Sequence, residues 1–112
     1  MEMGAIRYFR LMNQGAFICR LHVNYRPGGE ESWKTWEPAE YADIYTAAER
    51  TVDLKELGIE DGTHVRLIAF IVSGSRQIAA EEYIFYSNIG RTAAYKASGT
   101  LLSSRLNLVR YG

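Results

Sequence analysis

Hydrophobic and polar positions alternate most regularly between residues 17 and 25. Phe17, Cys19, Leu21, Val23 and Tyr25 hold one parity, and Ile18, Arg20, His22 and Asn24 the other. Period two over that length predicts a strand with one face in the core and the other mostly in water. The preceding run, residues 6–13 (IRYFRLMN), is rich in aromatic and aliphatic side chains and ends at the turn signal Asn13-Gln14-Gly15, so the two runs read as a hairpin or as consecutive strands. Pro27-Gly28-Gly29 is a loop signal, and residues 31–36 (ESWKTW) then read as a third, short strand. Residues three apart on a strand face opposite sides, so one of Trp33 and Trp36 is expected in the core. Trp36, nearer Pro38 and the next loop, is the one expected outside.

Residues 38–50 (PAEYADIYTAAER) support two readings. Tyr41, Ile44, Tyr45 and Ala48 fall at helical spacing behind Pro38, which suits a first helical position. An irregular loop that ends in a turn at Ala47-Ala48-Glu49 fits equally well. Thr51-Val52-Asp53-Leu54 is a short strand running into a helical turn, with Asp53 as its cap, Glu56 at the capping-box position and Gly58 closing it. Residues 63–72 are nearly continuous in apolar side chains apart from Arg66, the pattern of a central strand buried on both faces. Ser73-Gly74-Ser75 breaks the chain, residues 77–86 return as a strand, and two more strands follow with Ser103-Ser104 as their separator. The pattern predicts an all-β protein: an antiparallel β-sandwich of about seven to eight strands, residues 1–112 forming a single domain, with a short helix near 38–50 left open and a small barrel as second choice.

Composition bounds the function. With 112 residues, 47% hydrophobic and 12% aromatic, and no net charge, the chain can build one core and is not a disordered tail. No apolar run reaches membrane-spanning length, and Arg7 and Arg10 interrupt the start where a signal-peptide core would lie, so a soluble protein with neither leader nor span is expected and its compartment stays unknown. Neutrality conceals segregation: residues 30–61 hold ten acids against three bases, whereas residues 91–112 hold four bases and no acid. Basic terminal strands lying near the acidic middle explain this better than a nucleic-acid surface, which makes a domain basic as a whole.

Catalytic and metal chemistry find little support. Cys19, His22 and His64 are the only nitrogen or sulfur ligands, and Cys19 and His22 have opposite parity on one strand, so no metal or other cofactor is expected. Cys19 shares the parity of Phe17 and Leu21 and reads as an inert core thiol. No Gly-x-Ser-x-Gly elbow or phosphate-cradling glycine pattern occurs. The adjacent pairs Glu30/Glu31 and Glu81/Glu82 split across strand faces instead of converging on one site. A hydrolase is the least supported class, requiring His22 or His64 to meet a nucleophile or acid in space.

Binding is better supported. The outward parity of the second strand presents Arg20, His22 and Asn24, and the next segment brings Trp33 and Trp36. Flat rings beside fixed polar groups suit a carbohydrate, and the same rings suit a lipid headgroup boundary.

Asn13, Gly15, Ala16 and Phe17, then Thr51, Val52, Asp53 and Leu54, then Gly99, Thr100 and Leu102 make an Asn-x-Gly-Ala-aromatic, Thr-hydrophobic-Asp-Leu, Gly-Thr-x-Leu series. In these stretches the chain resembles small bacterial and fungal β-sandwich proteins. The resemblance implies a lectin-like or cytolysin-like role and no catalytic one. The expected function is thus a non-enzymatic module that binds carbohydrate or a membrane or cell-surface ligand through Trp36, Trp33, Arg20, His22 and Asn24. Its alternative is a protein-interaction or self-assembling subunit that docks partners or further copies through edge strands.

Overall fold

The computed structural model describes residues 3–28, 30–39 and 42–112. Among them the elements in chain order are β1 (Gly4–Ile6), β2 (Tyr8–Asn13), β3 (Cys19–Arg26), β4 (Lys34–Trp36), β5 (Glu49–Asp53), a 3₁₀ turn (Leu54–Leu57), β6 (His64–Ile71), β7 (Arg76–Ile78), β8 (Tyr83–Phe85), β9 (Thr92–Thr100) and β10 (Ser103–Tyr111). The protein is an all-β sandwich. One sheet has the order β1-β8-β6-β3-β4 with β7 also on β6, and the other is β10-β9-β2-β5.

Alternation builds both layers. Phe9 and Leu11 of β2, Leu21 and Val23 of β3, Leu67 and Ala69 of β6, and Ala93, Tyr95 and Ala97 of β9 all point between the sheets and are almost wholly buried. The Phe9 ring meets Tyr83 and Tyr95 edge-on at 5.9 and 6.3 Å, which ties β2 to β8 across the core and to β9 beside it. Cys19 is buried there and its thiol is pushed up to about 12 by desolvation, so it stays protonated.

Each sheet also contains one parallel pair, β1 with β8 and β2 with β9, so the sandwich is mixed where alternation alone suggested antiparallel neighbours. The run 6–13 breaks at Arg7, whose side chain bonds both Asp53 carboxylate oxygens (3.0 and 2.8 Å) and the Ser87 carbonyl (3.2 Å). The chain changes sheets at that point, and β2 and β3 therefore lie in different sheets instead of pairing as a hairpin.

The returning strand after Ser75 is two short pieces. β7 pairs with Ile68–Phe70 and β8 with His64–Val65, the Ala79 N–H still bonds the Leu67 carbonyl at 2.9 Å, and residues 80–82 then bridge the gap between the two pieces. In 38–50, Glu40 and Tyr41 lie outside the described residues. Beyond them Ile44 forms a two-way bridge with Cys19, Ala47 and Ala48 turn, and β5 begins, which is the irregular reading and not the helical one. The turn after β5 follows its sequence signals: the Asp53 side chain accepts from the Lys55 N–H at 3.0 Å, and Gly58 closes it at φ 74°.

Candidate functional site

The outer face of the six-stranded sheet collects four of the five binding residues expected from the sequence. Arg20, His22 and Asn24 of β3 lie opposite Phe70, Ile68 and Arg66 of β6. Arg20 donates to Asp43 at 2.6 Å and its guanidinium reaches over the Phe70 ring at 5.9 Å. His22 stacks on Phe70 at 4.9 Å, nearly parallel, and is 6% exposed. Burial holds its imidazole below the ordinary value; the nearby Arg20 and Arg76 act in the same sense and Glu37 opposes them. Asn24, 4% exposed, donates to the Thr35 hydroxyl (2.9 Å) and accepts from Arg66 Nε (3.0 Å).

The expected wet face of β3 is thus covered at His22 and Asn24, because side chains of the flanking strands close over it: Phe70 stacks on His22, and Thr35 and Arg66 bond Asn24. Both Arg26 and Arg66 place their guanidinium carbons over the Trp33 ring, at 4.6 and 4.2 Å. Burial lowers the Arg66 affinity for its proton from the usual arginine value.

Trp36 is paired across from Val23 on the core side and packs against the core. The two rings therefore do lie on opposite faces, but Trp33 and not Trp36 is the outward one. The register decides this: Asn24 sits opposite Thr35, which sends Trp36 to the side of Val23.

His64 pairs across from Arg26, and its Nδ1 lies 4.0 Å from Glu82, beyond hydrogen-bond reach. Among the described residues no three His, Cys, Asp or Glu side chains converge as a metal site would require.

A different surface forms where the chain turns at one end of the sandwich. Loops 14–18, 45–48, 72–75 and 101–102 meet there, joined by main-chain bonds Gln14 to Ala97, Ala16 to Gly99 and Val72 to Ile18, and by the Thr46 hydroxyl to the Gly15 carbonyl. Asn13, fully buried, organises the cluster. Its side-chain amide donates to the Phe17 and Ile44 carbonyls (2.7 and 2.8 Å) and its oxygen accepts from the Gly15 N–H (2.8 Å). Glycine is required at 15, because a Cβ there would run into the Phe17 ring.

On this scaffold Leu102 is 100% exposed, Tyr45 60% and Leu101 40%. Tyr45 and Leu101, together with Phe17, Ile18 and Val72, surround a concavity of about 600 Å³ whose lining carries no charged side chain, and Leu102 is the next residue along the turn. The two described non-glycine residues with positive φ, Ala47 and Ser73, are both in these loops, a local strain that the surrounding bonds must hold in place.

The leucines were hidden from sequence reasoning because the turn between β9 and β10 was placed at Ser103-Ser104. It falls instead at Leu101-Leu102, and Ser103 already pairs with Thr100. The available signal was Gly99, which at φ 94° sits just before the turn, where a Cβ would collide with the Ser103 carbonyl.

No protein-family model matches the chain, and none of the curated proteins does. Solved structures do show its fold. The chain is similar to part of listeriolysin O, with 92% of its residues aligned onto 22% of that protein at 8% identity and a TM-score of 0.51. It is also similar to pneumolysin (92% onto 23%, 13% identity, TM-score 0.49) and to the cytotoxin suilysin from Streptococcus suis (93% onto 23%, 13% identity, TM-score 0.48). The chain thus spans less than a quarter of each of these proteins. At 8% identity the likeness to listeriolysin O is one of fold alone, that of a β-sandwich.

Proposed function

We propose that the protein is a non-enzymatic module that binds a membrane surface through the turn end of its sandwich, with Leu101, Leu102 and Tyr45 entering the headgroup region. The observation that carries this reading is the fully exposed Leu102 beside Leu101, on a hairpin turn braced by the surrounding loops. An exposed leucine pair next to an uncharged apolar concavity gains nothing in water. Burying each side chain in lipid is worth about 1.5 to 3 kcal/mol. Tyr45 adds a ring suited to the headgroup boundary.

Sedimentation with phosphatidylcholine vesicles, with and without phosphatidylserine, tests it. Leu102→Ser should lower partitioning about tenfold or more at an unchanged thermal midpoint, because the side chain touches nothing in the free protein. Equal partitioning of wild type and Leu102→Ser, or no vesicle binding at all, would overturn it.

The half-buried Trp33, on the face that also holds Arg20, His22 and Asn24, favours a second reading in which that face takes a carbohydrate. A glycan array comparing wild type with Trp33→Ala and Trp36→Ala decides it. Signal lost in the first variant and kept in the second supports it.

A further inference from the structure

We propose a second binding site, independent of the turn end, in the groove between Tyr111 of β10 and Glu81 before β8, and assign it to a small organic cation carrying a quaternary ammonium group. The groove, about 520 Å³, opens where edge strand β1 of one sheet meets edge strand β10 of the other. Tyr83 lines it, and the Tyr111 ring stacks on Tyr83 with centroids 5.7 Å apart. A Cβ on Gly4 would come within 2.7 Å of that ring, so glycine is what lets Tyr111 lie there. Met3 and Leu108 supply apolar walls.

Strand parity places the charge. Glu81 shares the inward parity of Tyr83, whereas Glu82, which also borders the groove, has its carboxylate paired with Arg26 at 3.4 Å. The Glu81 carboxylate accepts from the Tyr95 hydroxyl at 2.9 Å. That uses the single hydrogen of Tyr95, so in the 2.9 Å contact between the two phenols Tyr83 is the donor. Tyr111 donates its own hydroxyl hydrogen to the Ala5 carbonyl at 3.0 Å.

All three phenol hydrogens are therefore committed within the protein. What the side chains of the groove offer a ligand is ring surface, alkyl surface and a carboxylate held in place from behind by a buried tyrosine. An anion would meet Glu81. A sugar would find acceptors for its hydroxyls but no side-chain donors. A quaternary ammonium needs no acceptor or donor and gains from both the rings and the charge.

The site is distinct from the proposed membrane surface. Leu108 and Tyr111 pair with Tyr95 and Ala93, five and seven residues back along β9 from Thr100, which at strand rise is about 16 to 23 Å from the turn.

Titration of the isotope-labelled protein with choline, followed by amide chemical shifts, tests the assignment. Saturable shifts at millimolar choline should centre on Glu81, Leu108 and Tyr111. Dimethylbutanol, the neutral carbon isostere of choline, should bind about tenfold more weakly. Glu81→Gln keeps an acceptor for Tyr95 and the side-chain volume, so it should fold normally, with an unchanged thermal midpoint, yet weaken choline about tenfold. Tyr111→Leu should weaken it as well, and Leu102→Ser should leave the titration unaltered whatever becomes of vesicle binding.

Phosphatidylcholine vesicles that are displaced by choline in wild type and not in Glu81→Gln would make a lipid headgroup the source of the cation. Choline binding without displacement would make it a free solute. Absence of saturable shifts at tens of millimolar choline, equal binding of the isostere, or an unweakened Glu81→Gln would each overturn the proposal.

Discussion

Replacing Asn13 by alanine should remove the brace beneath the turn end. Three hydrogen bonds of 2.7 to 2.8 Å disappear at a residue with no solvent exposure, leaving the Phe17 carbonyl and the Gly15 N–H without this partner and the Ile44 carbonyl with only its bond from the Cys19 N–H. At about 1 kcal/mol net for each, and more for any group that water cannot reach, the loss is roughly 3 kcal/mol. Domains of this size are stable by only about 5 to 15 kcal/mol. The variant's thermal midpoint should accordingly fall by roughly 10 to 15 °C. Urea unfolding followed by tryptophan fluorescence reads the difference as a lower midpoint at constant slope.

Asn13→Asp is the sharper probe. It keeps the volume and the bond from Gly15 but turns a second oxygen towards two carbonyls, so at neutral pH it should lose more than the alanine variant. The sign with pH follows from burial, which raises the folded-state pKa of this carboxyl above its unfolded value. The deficit is greatest above the folded pKa and shrinks as acid protonates the group, which can then donate to one carbonyl. A loss below about 1 kcal/mol in Asn13→Ala, or an Asn13→Asp protein as stable as wild type at pH 7, would refute the reasoning and mean that water serves these carbonyls.

Further outcomes follow from the same geometry. Gly99→Ala forces a side chain into positive φ against the Ser103 carbonyl, and should cost about 2 to 4 kcal/mol in urea unfolding. Burial holds the His22 imidazole below its ordinary value, so the unfolded chain takes up a proton near 6.5 and the folded protein only at lower pH. Stability should therefore fall as pH drops below about 6.5, and part of that slope should vanish in His22→Phe. Asp53 is held below the usual carboxylate value by its hydrogen bond from Arg7, reinforced by the Lys55 N–H. Its contribution is complete above about pH 4 and disappears as pH falls through its depressed folded value, a leg of the acid transition that Asp53→Asn should flatten. If β10, an edge strand of nine residues, recruits a second copy, sedimentation velocity should show a concentration-dependent dimer, and a strict monomer at high concentration would refute it.

The near-continuous apolar run of 63–72 marks β6 as an interior strand, which lies between β8 and β3, and alternation was enough to read the core-facing side of β3. It could not reveal the crossing of Arg7 from one sheet to the other. Ile6 and Phe9 are both buried hydrophobics, and nothing local says that they belong to different layers. The parallel pairs were equally hidden, since a strand's own pattern states which face is buried and not which strand lies beside it.

The same gap explains the candidate sites. Arg20, His22, Asn24 and Trp33 do come to one face, but whether such side chains are free or covered depends on β4 and β6, whose register the sequence leaves open. Leu101 and Leu102 looked like strand residues until pairing of Ser103 with Thr100 placed them in the turn. The sequence splits Glu81 and Glu82 across two faces. The split is real, and it is what frees Glu81 to face inward.

The two parallel pairings also govern the order in which the molecule can be made. Gly4 meets Tyr83 and Tyr8 meets Thr92, so β1 and β2 have no partners in those pairs until most of the later strands have been made. The β3–β4, β2–β5, β3–β6 and β6–β7 pairs can form sooner. Closing loops of that length takes entropy that no contact offsets until both ends arrive, which places folding on the slow, millisecond-to-second side of small domains. For that interval the first strands hold open edges and apolar faces to the surroundings, and the nascent chain, more than the finished sandwich, is the form that needs protection from its neighbours.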